Sequence, residues 1–245
     1  MDMSLKILLN GANGRMGQAI QAVAPELNAK IIAAIDVGES AESAIGTCDA
    51  VIDFSVHAAT LPMVALAAQQ RKPVVIGTTG HTDSERSAIT EYAQQLPIVW
   101  AGNYSIGVNL LFYLCNKAAE ILDTSFHPEI IEMHHRHKVD APSGTAERLL
   151  EIIRTARKLD KSAVRHGREG ITGARPDNEI GMHALRGGDV VGDHTVLFAG
   201  DGERLELSHK ASDRKIFARG ALHAARWVVE QPPGLYLMED VLGFR

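Results

Sequence analysis

Leu5-Lys6-Ile7-Leu8-Leu9-Asn10-Gly11-Ala12-Asn13-Gly14-Arg15-Met16-Gly17, followed downstream by Ile31-Ile32-Ala33-Ala34-Ile35-Asp36, decides the fold. The first apolar run reads as a buried parallel strand. Glycines at every third position come next, then a helical stretch from Gln18 to Leu27, then a second apolar strand closed by an acid. Strand, glycine turn, helix, strand and terminal acid is the arrangement that binds a dinucleotide. Glycine lets the backbone approach a pyrophosphate, and the helix N-terminus stabilises the phosphate charge. Asp36 lies 19 residues after Gly17, close to the spacing at which a carboxylate meets the adenosine ribose. The spacing is G-x-x-G-x-x-G, not the commoner G-x-G-x-x-G, so the glycines alone would also fit a tight turn. The strand, helix and acid around them make Gly11, Asn13, Gly14, Arg15, Met16, Gly17 and Asp36 candidate cofactor residues.

The pattern repeats along the first hundred residues. Ala50–Phe54, Pro73–Gly77 and Pro97–Ala101 are further apolar strands, with helical patterns near 58–70 and 83–95 between them. Alternation of this kind implies a parallel sheet with helices on both faces. Ligands of such sheets bind beyond the carboxyl ends of the strands. Gly77-Thr78-Thr79 and Gly102-Asn103-Tyr104-Ser105 sit at two of those ends and could line a cofactor; capped strand-to-helix loops would look the same.

Further on, helices are expected at Ser105–Leu122, Thr145–Lys158 and Phe217–Glu230. Strands are expected at His127–His134, Ile180–Arg186 and Asp193–Phe198, with a hairpin turn at Gly200–Glu203 and a last extended segment from Gly234 to Leu242. The fold class is therefore α/β: a Rossmann-type parallel-sheet domain with a second, α+β domain. Residues 1–104 plus about 217–245 are expected to bind the dinucleotide, and about 105–216 to form the second domain.

Composition narrows the function. Of the 245 residues 45% are hydrophobic and 22% charged, which excludes a disordered chain. The net charge of −5 gives no sign of a nucleic-acid or anionic-membrane surface. Cys48 and Cys115 are the only cysteines, too few for a disulfide framework, and read as small core residues. No run of 18 apolar residues occurs, and the N-terminus passes straight into a strand. A cytoplasmic protein with no membrane or nucleic-acid partner is expected.

Chemistry concentrates at Glu129–Ala146. His134, His135 and His137 stand there with Arg136 and Lys138, just before Pro142-Ser143-Gly144-Thr145. Histidine exchanges protons near neutral pH, and Ser-Gly-Thr offers hydroxyls and backbone N–H groups to a carboxylate. If 130–138 is extended, His134, Arg136 and Lys138 share one face and His135 and His137 the other. A charged surface strand is the bland alternative. His135 and His137 also resemble an H-x-H ligand pair, but zinc would need a third ligand that no motif supplies, so no metal is expected.

Glu132-x-His134-His135-Arg136-His137-Lys138-Val139-Asp140-Ala141-Pro142-Ser143-Gly144-Thr145-Ala146 resembles the signature of the 4-hydroxy-tetrahydrodipicolinate reductase family, formerly called dihydrodipicolinate reductase. The likeness extends to Gly11–Gly17, Gly77–Thr79, Asn103–Ser105, Gly167–Gly170, Arg186–Gly192 and His194–Ser212. It implies reduction of a small dicarboxylate on the route to diaminopimelate and lysine, with NADH or NADPH, and a second domain that binds substrate and builds a homotetramer. It also implies His134 as general acid and Lys138 as the second catalytic group. His135, Ser143, Gly144 and Thr145 would be substrate contacts. Gly77, Thr78, Thr79, Ala101, Gly102, Asn103 and Tyr104 would line the cofactor.

This chain departs from the family pattern in two places. The stretch from 37 to 49 is short, and Gly102 stands where many members carry proline or alanine. Asp36 is followed by Val37 and Gly38, with no cation for a 2′-phosphate, while Arg15 could partly offset the repulsion, so use of both cofactors with a lean towards NADH is expected. Two other readings stay open: another two-domain nicotinamide enzyme on an amino-acid-like substrate, and an NAD(H)-sensing regulator without turnover. The regulator would call for a DNA-binding or partner surface, and no basic helix-turn-helix pattern occurs.

Overall fold

A computed structural model describes residues 4–244. In chain order the first elements are β1 (Leu5–Asn10), α1 (Arg15–Val23), β2 (Ala29–Ile35), α2 (Glu42–Ile45), β3 (Ala50–Asp53), α3 (His57–Gln69), β4 (Val74–Ile76), α4 (Asp83–Tyr92) and β5 (Pro97–Trp100). Then come α5 (Ile106–Ile121), β6 (His127–His134), α6 (Gly144–Arg157), β7 (Val164–His166), β8 (Ile180–Arg186), β9 (Gly192–Gly200) and β10 (Glu203–Ala211). The chain closes with α7 (Lys215–Val228), β11 (Gly234–Tyr236) and α8 (Met238–Val241). The chain forms two compact units: one runs up to Ile106 and resumes at Arg214, and the other is Gly107–Asp213.

The first unit is a six-stranded parallel sheet in the order β11-β5-β4-β3-β1-β2. Its strands are mostly apolar because both faces of the central strands are covered, with Lys6 and Lys30 exposed and Asn10 and Asp53 at strand ends. Ile7, Leu9, Ile52 and Val99 face a core built with α1 and α7, while Leu8, Val51, Val74 and Ile98 face another built with α3 and α4. The C-terminal segment completes this unit. β11 pairs with β5, and Ala218, Ala221, Leu222 and Ala225 of α7 lie in the first core. Gly220 is required there, because a Cβ would stand 1.6 Å from the Tyr104 carbonyl oxygen.

The second unit is a mixed five-stranded sheet in the order β10-β9-β6-β8-β7, with β6 parallel to β8 and antiparallel to β9. Alternation along β6 sends Ile130 into a core with Leu111, Phe112 and Cys115 of α5 and Leu149, Ile152 and Ile153 of α6. Its neighbour Ile131, with Leu185 and Leu205, stays partly exposed. Asp201-Gly202 joins β9 to β10 in a two-residue turn in which Gly202 has φ +83°. No helix among the described residues is long and apolar enough to cross a membrane.

Several sequence expectations need correction. α1 starts at Arg15, not Gln18, and ends at Val23; Pro25–Leu27 is a separate 3₁₀ turn because proline interrupts the helical ladder. The final stretch is extended only over β11 and then turns into α8. The strand expected across 130–138 stops at His134. Its partner β8 ends at Arg186, and Gly187-Gly188 folds across: Gly187 N–H bonds the His134 carbonyl, and Arg136 N–H bonds that of Gly188. Residues 135–140 are therefore a loop, and strand alternation does not put His134, Arg136 and Lys138 on one face. β7 and α2 had no sequence expectation; both are too short to carry a period.

Candidate functional site

The glycine loop of the first unit is shaped by close backbone packing. Gly11 has φ +83°, and a Cβ there would stand 2.4 Å from the Phe54 carbonyl oxygen. A Cβ on Gly17 would stand 2.3 Å from the carbonyl oxygen of Gly11, so the start of α1 lies directly against the turn. Gly14 is the N-cap of α1, and no side chain caps that end. Arg15 is exposed and Met16 is half-buried. Asp36, just past β2, closes the loop. Its carboxylate accepts N–H bonds from Asn13 and Val37, both at 2.8 Å, and the Val37 and Asn13 bonds hold its carboxyl below the usual range. Glu39 accepts the Asp36 N–H at 2.8 Å. Beside these acids opens a cleft of about 750 Å³, lined among others by Gly11, Asp36, Glu39, Glu42, Ser55 and Met63, with no Lys or Arg among its lining residues.

The loops after β4 and β5 end at the same edge of the sheet. Gly77 lies under the Phe54 ring, which a Cβ would strike at 2.1 Å. Thr78 is buried and its hydroxyl donates to Asp53 at 2.9 Å, while Thr79 is exposed. Ala101 is half-buried and Gly102 exposed, and Asn103 accepts the Ser105 N–H at 2.9 Å. The sequence groups Tyr104 with the cofactor-lining loop. Its side chain instead lies in the core, 1% exposed, with the phenol bonded to the carbonyl oxygens of Ile76 and Val99.

In the second unit the end of β6 presents a layered acid–base arrangement. Glu132 is 0% exposed. Both terminal nitrogens of Arg186 donate to it at 2.9 Å, His134 Nδ1 lies 2.6 Å away, and the Ser143 N–H reaches it at 3.2 Å. Burial pushes the Glu132 carboxyl up, but the bonds from Arg186 and His134 outweigh this and hold it below the usual range. With Nδ1–H given to Glu132, His134 keeps Nε2 for proton exchange. Ser143 N-caps α6 through its hydroxyl, which also lies 3.0 Å from His194 Nε2. His194 packs edge-on against His134, with ring centroids 5.1 Å apart, and burial followed by the His134 charge lowers its pKa to about 4.

The loop around this pair is fastened from both sides. Arg186 donates to the Asp140 carbonyl at 2.5 Å, and Lys138 Nζ is 2.8 Å from the Asp140 carboxylate. Gly144 is exposed at the first turn of α6, with Thr145 beside it half-buried. His135 is half-buried, its ring 6.2 Å from that of His137. Among the described residues no group of three or more His, Cys, Asp or Glu side chains is placed to hold a metal ion.

Comparison with known proteins agrees along the whole chain. Residues 5–104 match the family described as dihydrodipicolinate reductase, N-terminus, and residues 107–242 match its C-terminus. The chain belongs to the dihydrodipicolinate reductase family. A 4-hydroxy-tetrahydrodipicolinate reductase of Akkermansia muciniphila is 57% identical over 242 residues, 98% of each chain. One from Halorhodospira halophila is 47% identical, covering 98% of this chain and 100% of the relative. A dipicolinate-bound dihydrodipicolinate reductase from Paenisporosarcina sp. TG-14 superposes with a TM-score of 0.76 at 26% identity, covering 97% of this chain and 99% of the other. In this reductase the residues that sequence reasoning missed are Glu132, Arg186, His194 and Asp53. Glu132 stands two residues before His134, so the alternation of β6 already puts both on one face; Arg186 and His194 carry no local pattern, and only the sheet register brings Arg186 opposite His134 and His194 opposite Glu132.

Proposed function

We propose that the protein is a cytoplasmic NAD(P)H-dependent reductase that converts 4-hydroxy-tetrahydrodipicolinate to tetrahydrodipicolinate in lysine and diaminopimelate biosynthesis. The observation that carries this reading is the Glu132–His134 pair beside the Ser143-Gly144-Thr145 turn, in a chain of the reductase family. The first unit fits a nicotinamide dinucleotide. Its glycine contacts leave no room for side chains where the backbone must approach a pyrophosphate, and the cleft beside Asp36 has the size of a nucleoside site. Gly11 to Gly17 would hold the pyrophosphate, Asp36 the adenosine ribose, and the 77–79 and 101–104 loops the remainder. When bound, the nicotinamide supplies a hydride to the substrate ring.

The chain's own groups do the rest. Lys138 and the backbone of Gly144 and Thr145 bind the substrate carboxylates, with His135 beside them. The 4-hydroxyl would leave as water together with a proton from the neighbouring carbon; hydride would then add at the vacated carbon, and His134 would donate the proton that quenches charge on the carbon next to it. Glu132 holds the ring by Nδ1 and leaves Nε2, beside Gly192, to exchange the proton, and its charge stabilises the imidazolium before transfer. Arg186 and the Ser143 N–H hold Glu132 in place. The acids at the adenosine cleft favour NADH over NADPH, since a 2′-phosphate would meet Asp36, Glu39 and Glu42 with no cation from the cleft wall. The partly exposed face of the second sheet, with Ile131, Leu185 and Leu205, supports assembly into a homotetramer. The test is a coupled assay: substrate made from pyruvate and aspartate semialdehyde, with loss of NADH absorbance followed on adding the protein. No loss of absorbance with either NADH or NADPH refutes the reading.

A further inference from the structure

Asp53 ends β3 at the centre of the first sheet, and its carboxylate is 0% exposed. Four side chains donate to it: Asn10 Nδ2 at 2.7 Å and Ser55 Oγ at 2.5 Å on Oδ1, and Thr60 Oγ1 at 2.7 Å and Thr78 Oγ1 at 2.9 Å on Oδ2. Four donors filling both oxygens is the pattern of an ionised carboxylate. Every donor is neutral, and among the described residues no Lys, Arg or His lies in salt-bridge contact with Asp53, although the buried His81 ring is near enough to feel its charge. A buried, unpaired charge is expensive. The fold could have avoided it with an asparagine, because three hydroxyls can turn from donor to acceptor. The charge therefore calls for a function.

Its position suggests one. The donors come from the end of β1, the loops after β3 and β4, and the first turn of α3. Those loops border the glycine turn: a Cβ on Gly11 would meet Phe54 and Ser55, and Gly77 N–H bonds the Asp53 carbonyl. In a doubly wound sheet the pyrophosphate lies at the first glycine turn and the adenosine on the side of the second strand. The other half of the dinucleotide would then fall on the β3–β4 side, the side on which Asp53 ends its strand. Hydride donation turns a neutral dihydronicotinamide into a cation.

We infer that Asp53 is an electrostatic positioning residue, whose buried negative charge favours the oxidised, cationic nicotinamide over the reduced form and so eases hydride release. This rests on the dinucleotide-binding reading of the first unit. The pyrophosphate is common to both redox forms, so any repulsion from Asp53 cancels when the two are compared. The readout is thus the ratio of the dissociation constants for NAD+ and NADH, measured by calorimetry on the full-length protein without substrate.

Asp53→Asn keeps the shape of the site and removes the charge. It should weaken NAD+ relative to NADH by about tenfold, as expected for a unit charge removed at short range in a partly solvated protein site. Thr60→Val keeps the charge and removes one donor that neutralises it, so the ratio should move about twofold in the opposite direction. A purely structural role predicts that both affinities fall together in either variant, with the ratio unchanged and melting temperature lowered. That result overturns the inference alone. Wild-type protein that binds neither NAD(H) nor NADP(H) overturns the proposed function as well.

Discussion

His134 Nδ1 lies 2.6 Å from Glu132 Oε2, and the same carboxylate is gripped by both terminal nitrogens of Arg186. One buried acid thus fixes the proton of one ring nitrogen and the direction of the other. His134→Gln should lower kcat by about 10²–10⁴-fold, a barrier increase of roughly 3–5 kcal/mol, with an unchanged circular dichroism spectrum. Glu132→Gln should cost roughly 10²-fold or more through loss of orientation. Near wild-type kcat in a folded His134→Gln protein would rule out its role as general acid.

Dipicolinate, a planar dicarboxylate, should inhibit competitively against the substrate. In the structure Lys138 is paired with Asp140, an exposed acid that an incoming carboxylate can displace. Lys138→Ala should raise the inhibition constant by about tenfold or more, the value of one charge-assisted hydrogen bond. Thr145→Val should raise it less. Inhibition unaffected by both changes together would place the dicarboxylate elsewhere.

Stability should fall in acid in two steps. His194 has a pKa of about 4 in the fold against an ordinary value of 6.5, so between those values the unfolded chain binds a proton that the folded chain refuses. Its stabilisation is full above about pH 6.5 and is lost towards pH 4, by roughly 2–4 kcal/mol. Glu129 follows. Burial pushes its carboxyl up, but Arg168, His183 and Arg175 outweigh this and bring it to about 2, so its contribution is present above about pH 4.5 and is lost as pH approaches 2. Denaturant titrations at pH 7, 5.5 and 4 check the first step. His194→Gln should flatten the slope between pH 6.5 and 4, and an unchanged slope would remove His194 as its source.

The cofactor preference should follow the acids of the cleft. Wild-type protein should favour NADH in kcat/KM. Asp36→Ala should shift the ratio towards NADPH and also weaken NADH, because the Asn13 N–H loses its partner. Arg15→Ala should shift the ratio back. A wild-type preference for NADPH beyond about tenfold, roughly 1.4 kcal/mol, contradicts this reading of Asp36.

The parts of the fold legible in the sequence were those written in local pattern. Leu5–Asn10, the glycines and Ile31–Asp36 each carry their own signal, and their order fixes the sheet. The signature at 132–146 was legible because so many titratable groups stand together. The face that an extended 130–138 would give His134, Arg136 and Lys138 does not form, since the end of β6 depends on Gly187-Gly188, over fifty residues away. Asp53 looks like any acid closing an apolar strand. Only the convergence of Asn10, Thr60 and Thr78 reveals that its charge is fully enclosed. The pairing of Ser143 with His194 has no local spacing to announce it either: register sets His194 opposite Glu132, and Ser143 reaches the same place from the cap of α6.

β11 and α7 belong to the unit that residues 5–106 begin. During synthesis, then, the first hundred residues emerge with the β5 edge unpaired and the hydrophobic face that α7 later covers still open. The second unit, contiguous from 107 to 213, can close while those residues wait. A chain truncated after residue 213 should therefore show a protease-resistant second unit behind a protease-sensitive first one, and the chain that includes residues 214–245 should be protected in both.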